Sequence, residues 1–476
     1  MTDLFLVSPL LVVFTLPLII MGFVALWPQF KFSLHLTFLG VLSAFILVVS
    51  SLLQRSEPRY FYPFFVADNF SEITQGVMLL ATLIVIFFSK DWFSVVKQET
   101  HAFFILLSIS VVGALTLVMS THFISFFVSL ELLSVPVYAM IAYEVRQRRG
   151  LEAALKYILL AGFSIAVLLF GIALLYSQFG SLSFDVIVSK IKGGFVFEPV
   201  LLVGFLLFFV GLAFKIGLVP FHMWLPDVYE GAPLPVTAYL TTVSKGAVLF
   251  FAIRFFSQIG IDNIPDIASI VAALAILSMF IGNIMAIKQQ NLKRLLAYSS
   301  IAQVGYMLIG IIVSDSQSTL FYIITYFAAV LCALSALAVH SHFEAEKENI
   351  RSLDGLYFYK PTLAVALTIA LLSFTGLPLT LGFLGKLYIL SSAIDALQWT
   401  MALSLAISSA IGFYAYFKVI LAMATRGSLS IIPKANRFSL SEACVVALAL
   451  LIVGFGIYPS YIEYVTTIAS FESIAQ

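Results

Sequence analysis

Four lysines and one glutamate stand where solvation energy argues against them. Lys215, Lys245 and Lys386 lie inside long apolar runs, Lys156 lies one helical turn inside another, and Glu131 lies near the middle of the run holding Ser129-Leu-Glu-Leu-Leu-Ser-Val-Pro136. A charge at the centre of a bilayer costs about 3 kcal/mol on insertion scales. A leucine would avoid that cost, so each charge needs a reason to be there. An ion pair that staples two helices is one reason, but four ammonium groups against one carboxylate exceed what a staple needs. A desolvated lysine exchanges its proton readily, and a proton relay uses that property. Glu131 needs a cation on a neighbouring span, and Lys215 is the best placed. Lys156 follows Glu152 by four residues, the spacing of a helical ion pair. It reads equally as a snorkelling boundary residue and as a relay member.

Helix breakers stand beside two of the lysines. Gly211-Leu-Ala-Phe-Lys-Ile-Gly-Leu-Val-Pro220 puts Gly217 and Pro220 just after Lys215, and Ser373-Phe-Thr-Gly-Leu-Pro-Leu-Thr-Leu-Gly-Phe-Leu-Gly-Lys386 puts Gly376 and Pro378 just before Lys386. Proline and glycine open the helical ladder. Open backbone at membrane depth is tolerated only against protein or water, and transporters use it at ion sites. Lys245, in Tyr239-Leu-Thr-Thr-Val-Ser-Lys245, lies between the two breaks in sequence, a place that suits a bridging role. His222, in Pro220-Phe-His-Met-Trp-Leu-Pro226, falls at the inner end of the first broken run; it reads as a gate for proton access or as an interfacial hydrogen-bonding histidine. The stretch 226–235 reads as a turn-rich, structural loop.

The elements that must position these groups follow from composition. The 476 residues are 62% hydrophobic and 10% charged, with a mean hydropathy of +1.08. Soluble proteins carry about 25% charged residues, and outer-membrane barrels alternate apolar with polar residues; the runs here are continuous. Apolar spans are expected at 4–27, 33–53, 74–89, 101–119, 122–143, 151–176, 198–220, 234–257, 265–287, 296–314, 318–343, 361–393, 397–423 and 439–464. In lipid these must be helices. Placing the second gap outside puts fifteen lysines and arginines in inner gaps and four (Arg55, Arg59, Lys190, Lys192) in outer gaps. That bias supports the segmentation and puts both termini outside. Arg254 and Lys418 lie toward span ends and are expected to snorkel. The first run is too long for a cleaved signal and reads as a retained span. A net charge of +1 gives no sign of a nucleic-acid partner. Cys332 and Cys444 sit in apolar runs without a ligand cluster, so neither a disulfide framework nor a metal site is expected. No phosphate loop, haem pair or nucleophile triad appears, so this chain alone should bind no redox cofactor.

At these motifs the sequence resembles the antiporter-like membrane subunits of bacterial respiratory NADH–quinone oxidoreductase (complex I), and among them subunit N, also called subunit 2. The stretches are SLELLSVPVYAM at 129–140, LEAALKYILLAG at 151–162, the run at 211–247, NLKRLLAYSSIAQVGYMLIGI at 291–311 and LSFTGLPLTLGFLGKLYIL at 372–390. The resemblance implies an all-α polytopic membrane protein with about 14 transmembrane helices, two inverted five-helix repeats, and discontinuous helices 7 and 12. It divides the chain into helices 1–3 (1–100), a first repeat (101–257), a second repeat (265–423) and a last helix (424–476). By motif position Glu131 and Lys215 match the family's Glu–Lys pair, Lys245 its central lysine and Lys386 the lysine of helix 12. Many members carry histidine where this chain has Gln303, so a group that does not titrate stands on the central path.

The function implied is that of a proton-translocating subunit, a translocase only as part of the assembled enzyme, running from the inner face through Lys215 and Lys245 to Lys386. Partners would be other membrane subunits of complex I and lipid, with flavin, iron–sulfur clusters and quinone in partner subunits. The setting would be the bacterial inner membrane with both termini periplasmic. The nearest rival is a subunit of a cation/proton antiporter complex of the same fold. A bracing scaffold and a free-standing transporter are further rivals.

Overall fold

A computed structural model describes residues 2–26, 30–54, 57–96, 100–144, 148–193, 199–261, 264–341, 345–425 and 439–470. Of the loop charges counted above, Arg55, Lys97, Arg146, Arg426, Lys434 and Arg437 lie outside the described residues, as does the Lys31 side chain.

The described chain is almost wholly helical, because an apolar run in lipid must satisfy its backbone within itself. In order it runs α1 (Thr2–Leu26), α2 (Phe30–Gln54), a hairpin of β1 (Arg59–Phe61) and β2 (Phe65–Ala67), α3 (Asn69–Val96), α4 (His101–Met119), α5 (Phe123–Ile141) and α6 (Arg148–Phe179). There follow α7 (Phe184–Lys192), α8 (Pro199–Ile216), α9 (Trp224–Gly231), α10 (Leu234–Tyr239), α11 (Lys245–Ile259), α12 (Pro265–Ile287), α13 (Leu292–Ile312) and α14 (Ser316–Ser341). The last are α15 (Leu356–Tyr359), α16 (Pro361–Thr375), α17 (Leu381–Asp395), α18 (Trp399–Ala424), α19 (Leu440–Ile457) and α20 (Ser460–Ala469). Among the described residues 13 helices are long and apolar enough to cross a membrane, the run 234–259 counting as one. The remaining expected run, at 361–393, is not among them; it is cut into two shorter helices, α16 and α17.

The chain forms two compact units: unit 1 is residues 1–216, 231–269 and 468–476, and unit 2 is 217–230 and 270–467. Unit 1 has an aromatic core in which Phe123, Phe126, Phe184, Phe208, Phe251 and Phe255 meet with ring centroids 4.3 to 6.0 Å apart. The amphipathic α7 buries Phe184, Ile187 and Ile191, while Lys190 Nζ donates to the Phe179 carbonyl at 2.7 Å and so closes the end of α6. In unit 2, every residue of α13 except Arg294 is buried.

Three expectations need correction here. The third span begins at Asn69 rather than 74, because Asp68 caps it: its Oδ1 accepts the Ser71 N–H at 2.8 Å. Arg254 does not snorkel. It is 1% exposed, donates to both oxygens of Asp68 at 2.8 and 2.6 Å, and donates through Nε to the Val118 carbonyl at 2.8 Å. The stretch 226–235 also differs from a plain loop. Most of α9 lies within it, with Pro226, Val228 and Tyr229 buried.

Candidate functional site

In unit 1, α8 ends one residue after Lys215. Gly217 takes φ +74, a value a residue with a side chain resists, and the chain turns through 218–223 before α9. The ammonium of Lys215 is buried against α5, where it donates to Ser134 Oγ at 2.8 Å and to the Tyr138 hydroxyl at 3.2 Å. The rings of Tyr138 and Tyr157 lie 5.6 and 6.0 Å away. Glu131 is the expected partner, but it makes no direct ion pair with Lys215. It is half-buried three residues before Ser134, its Oε1 has no hydrogen-bond partner, and it acts on Lys215 through space. The hydroxyls of one helix face thus hold the cation, with the carboxylate one turn further along.

Lys245 is 3% exposed and opens α11 directly after a π-helical turn at Leu240–Ser244, which replaces the expected straight helix. Such turns occur often at functional sites, because the widened ladder re-aims the side chains around it. Just upstream, Tyr239 donates to Ser110 Oγ at 2.8 Å, and Ser110 donates to the Leu133 carbonyl at 2.7 Å, next to the Ser134 that holds Lys215. These two hydroxyls tie α10 through α4 to α5, the helix whose Ser134 holds Lys215.

Of its two readings, Lys156 has the geometry of the boundary residue: its side chain is 45% exposed on the outer face of α6 and makes the expected pair with Glu152 at 2.8 Å. Leu155, Leu159 and Phe163 around it are exposed too, so this face meets lipid or another chain rather than the interior.

In unit 2, α16 ends in a Schellman turn. Gly376 sits at φ +79 with its N–H on the Ser373 carbonyl at 3.1 Å, and the Leu377 N–H returns to Leu372 at 3.2 Å. The turn leaves the last carbonyls of α16 free, and Lys386 of α17 takes them. Its Nζ donates to Phe374 O at 2.7 Å, Thr375 O at 3.2 Å and Ser409 Oγ at 2.7 Å, and lies 4.9 Å from the Tyr306 ring centroid. Gly382 lets the two half-helices approach, since a Cβ there would lie 2.0 Å from the Ser373 carbonyl oxygen. A cavity of about 460 Å³ opens beside the lysine, lined by Thr375, Lys386 and Ser409 together with apolar residues such as Leu387, Leu405 and Phe413.

Gln303, central on buried α13, accepts from the Tyr322 hydroxyl and donates to Phe374 O at 3.4 Å, the same carbonyl that holds Lys386. Tyr306 bonds Asn283 at 2.8 Å and Ser408 at 2.9 Å, and Tyr416 bonds Ser299. Sequence reading found Gln303 and Lys386 but not this ring of phenols, which in a sequence look like ordinary apolar core. His222 is buried in the turn before α9, and its Nδ1 has no partner. Burial lowers its pKa, and the Pro220 backbone acts against that shift. On the same short helix Asp227 and Glu230 share Arg294, at 2.8 and 2.9 Å. Among the described residues no group of three His, Cys, Asp or Glu side chains converges to hold a metal.

A many-spanning helical protein whose broken helices present buried lysines to neutral oxygens is an antiporter-like membrane subunit in fold. The chain belongs to the NADH:quinone oxidoreductase/Mrp antiporter transmembrane family, whose sequence pattern matches residues 120–412. It is similar to a chain of respiratory complex I from Thermus thermophilus, with 30% identity, a TM-score of 0.81, and coverage of 96% of this chain and 98% of that one. The same fold occurs in an archaeal membrane-bound sulfane sulfur reductase (22% identity, TM-score 0.87, coverage 98% and 96%). It occurs again in the Mrp complex of a Dietzia species (18% identity, TM-score 0.83, coverage 97% and 96%). These three chains come from multi-subunit membrane complexes.

Proposed function

We propose that this chain is a proton-translocating membrane-arm subunit of a respiratory NADH–quinone oxidoreductase, of the subunit N type. The observation that carries the reading is Lys386: a buried ammonium held by two carbonyls, a hydroxyl and an aromatic face, with no carboxylate against it among the described residues. A structural staple needs an opposite charge; a group that must give up its proton is better held by neutral dipoles.

In this reading a proton taken up from the inner face loads Lys215, whose charge responds to Glu131. It passes by way of Lys245 to Lys386 and leaves outside. Gln303 does not titrate, so it serves by holding Tyr322 and the Phe374 carbonyl in place. His222, buried near the first break, acts in access from the inner side, while Lys156 stands outside the relay. Both termini lie on the periplasmic side of a bacterial inner membrane, as the loop charges argue. The division into three leading helices, two five-helix repeats and a closing helix belongs to the same proposal. Flavin, iron–sulfur clusters and quinone reside in partner subunits, and this chain binds none of them. The 30% identity across nearly the whole of both chains supports complex I over the other assemblies sharing the fold.

Mass spectrometry of the purified native assembly tests the reading. Flavin- and iron–sulfur-bearing subunits co-purifying with this chain are expected. An assembly made only of cation/proton antiporter subunits would assign it to that complex instead.

A further inference from the structure

We infer that Glu72 is a proton-exchanging carboxyl, placed at the opposite end of unit 1 from the inner-face loops; the inference rests on the proton-translocating reading above. Glu72 lies in the first turn of α3, upstream of the apolar run that sequence reading takes as the span. It is 5% exposed. Ser51 Oγ donates to its Oε1 at 2.5 Å, and its Oε2 is buried with no hydrogen-bond partner.

The nearby cation is already taken. Asp68, four residues earlier on the same side of the helix, has both oxygens occupied by Arg254. Glu72 is therefore left among the described residues with one hydroxyl and no ion pair. The dipole of a helix's first turn favours an anion there only weakly. A buried carboxylate oxygen without a partner is among the costliest groups a protein can carry. A purely structural position would be served by glutamine, which offers Ser51 the same acceptor without a charge. The arrangement suits a group that alternates: Oε2 takes a proton, holds it while Ser51 stays on Oε1, and returns it to water. Glutamate at this place puts a proton acceptor at the outer end of unit 1, as the loop charges orient it.

The test is infrared difference spectroscopy between acid and alkaline conditions on the purified native complex. It uses the wild type, Glu72→Gln, Glu72→Asp and Ser51→Ala. A protonated-carboxyl C=O band that titrates is expected in the wild type. It should be absent in Glu72→Gln, and shifted in Glu72→Asp and in Ser51→Ala, which removes the hydrogen bond to Oε1. A Glu72→Gln difference spectrum superimposable on the wild type overturns the inference. A lost band supports the inference even where proton translocation per turnover is unchanged, because it shows that Glu72 itself exchanges the proton. The functional reading fails separately: normal translocation in Lys386 variants would sink it while leaving the Glu72 band in place.

Discussion

Replacing Lys386 by arginine and by alanine separates what its charge does for the fold from what its titration does for transport. Arginine keeps a cation with several donors, and the cavity beside Lys386 gives the larger head group room. The bonds to Phe374 O, Thr375 O and Ser409 can then be remade, so the arginine variant should assemble like the wild type. Its neutral form, however, is rarer. Arginine is a far stronger base than lysine, which makes its deprotonated form roughly a hundred- to a thousandfold scarcer at the same site. Any flux that requires Lys386 to release its proton should fall by the same factor. Alanine removes both functions. Among the described residues Phe374 O then keeps only Gln303 at 3.4 Å, and Thr375 O only Ser409 at 3.1 Å. A hydrogen bond from a charged group contributes about 1.5–3 kcal/mol, so with this partial replacement the alanine variant should lose about 3 kcal/mol. The assay is proton uptake per substrate turned over in proteoliposomes of the native complex, with assembly and thermal inactivation measured on the same preparations. An arginine variant that assembles and pumps within twofold of the wild type would refute the claim that Lys386 titrates in turnover.

Three further outcomes follow from other parts of the molecule. Gln303→Leu strands the buried Tyr322 hydroxyl, so thermal denaturation should show a loss of about 1–3 kcal/mol together with reduced pumping. Gln303→Ala with unchanged pumping would remove Gln303 from the path. Arg254→Leu leaves Asp68 buried and unpaired at a cost of about 3–5 kcal/mol, read as loss of assembled complex, and adding Asp68→Asn should recover much of it. Burial alone would raise the Asp68 pKa, but the Arg254 charge and hydrogen bonds outweigh it and hold the carboxyl below its ordinary value. Its stabilisation is therefore full above about pH 4 and lost as pH falls through the depressed native value, a slope that Asp68→Asn should flatten. His222 is held below its ordinary value by burial, so the unfolded chain binds its proton first as pH drops. Wild-type thermal stability should decline below about pH 6.5, and His222→Gln should decline less across that range; identical profiles would count against this.

Much of the architecture was legible because membrane insertion imposes one rule on every span. The runs at 101–119 and 265–287 coincide with α4 and α12, and the Gly-Leu-Pro cluster beside Lys386 located the break between α16 and α17. What stayed hidden depends on pairing across the fold. Arg254 near a span end looks like a residue that reaches for water, and only the return of Asp68 across α11 shows it locked inside. Lys156 has two equal readings from sequence, boundary residue or relay member, and its exposure on α6 is what separates them. Glu72 falls outside an apolar window because a window scores composition, whereas burial depends on what α2 lays over it. The π turn before Lys245 has no signature in Leu-Thr-Thr-Val-Ser, since each residue there also fits an ordinary helix.

The difference between the expected Glu131–Lys215 contact and the observed one bears on mechanism. Lys215 rests on Ser134 and Tyr138, and Lys386 on two carbonyls and Ser409. A carboxylate at about 4 Å would hold either ammonium with about 4 kcal/mol at an effective dielectric of about 20, which is roughly a thousandfold bias against letting the proton go. Neutral oxygens position the cation without that bias. Moving Glu131 one turn along α5 keeps its field on Lys215 while removing the direct contact. The strength of that field can then change with small displacements of α5 against α8, which is the adjustment that coupling to a distant reaction requires. Shortening the carboxylate with Glu131→Asp should therefore alter the pH dependence of pumping more than its assembled amount, whereas a directly paired glutamate would lose both together.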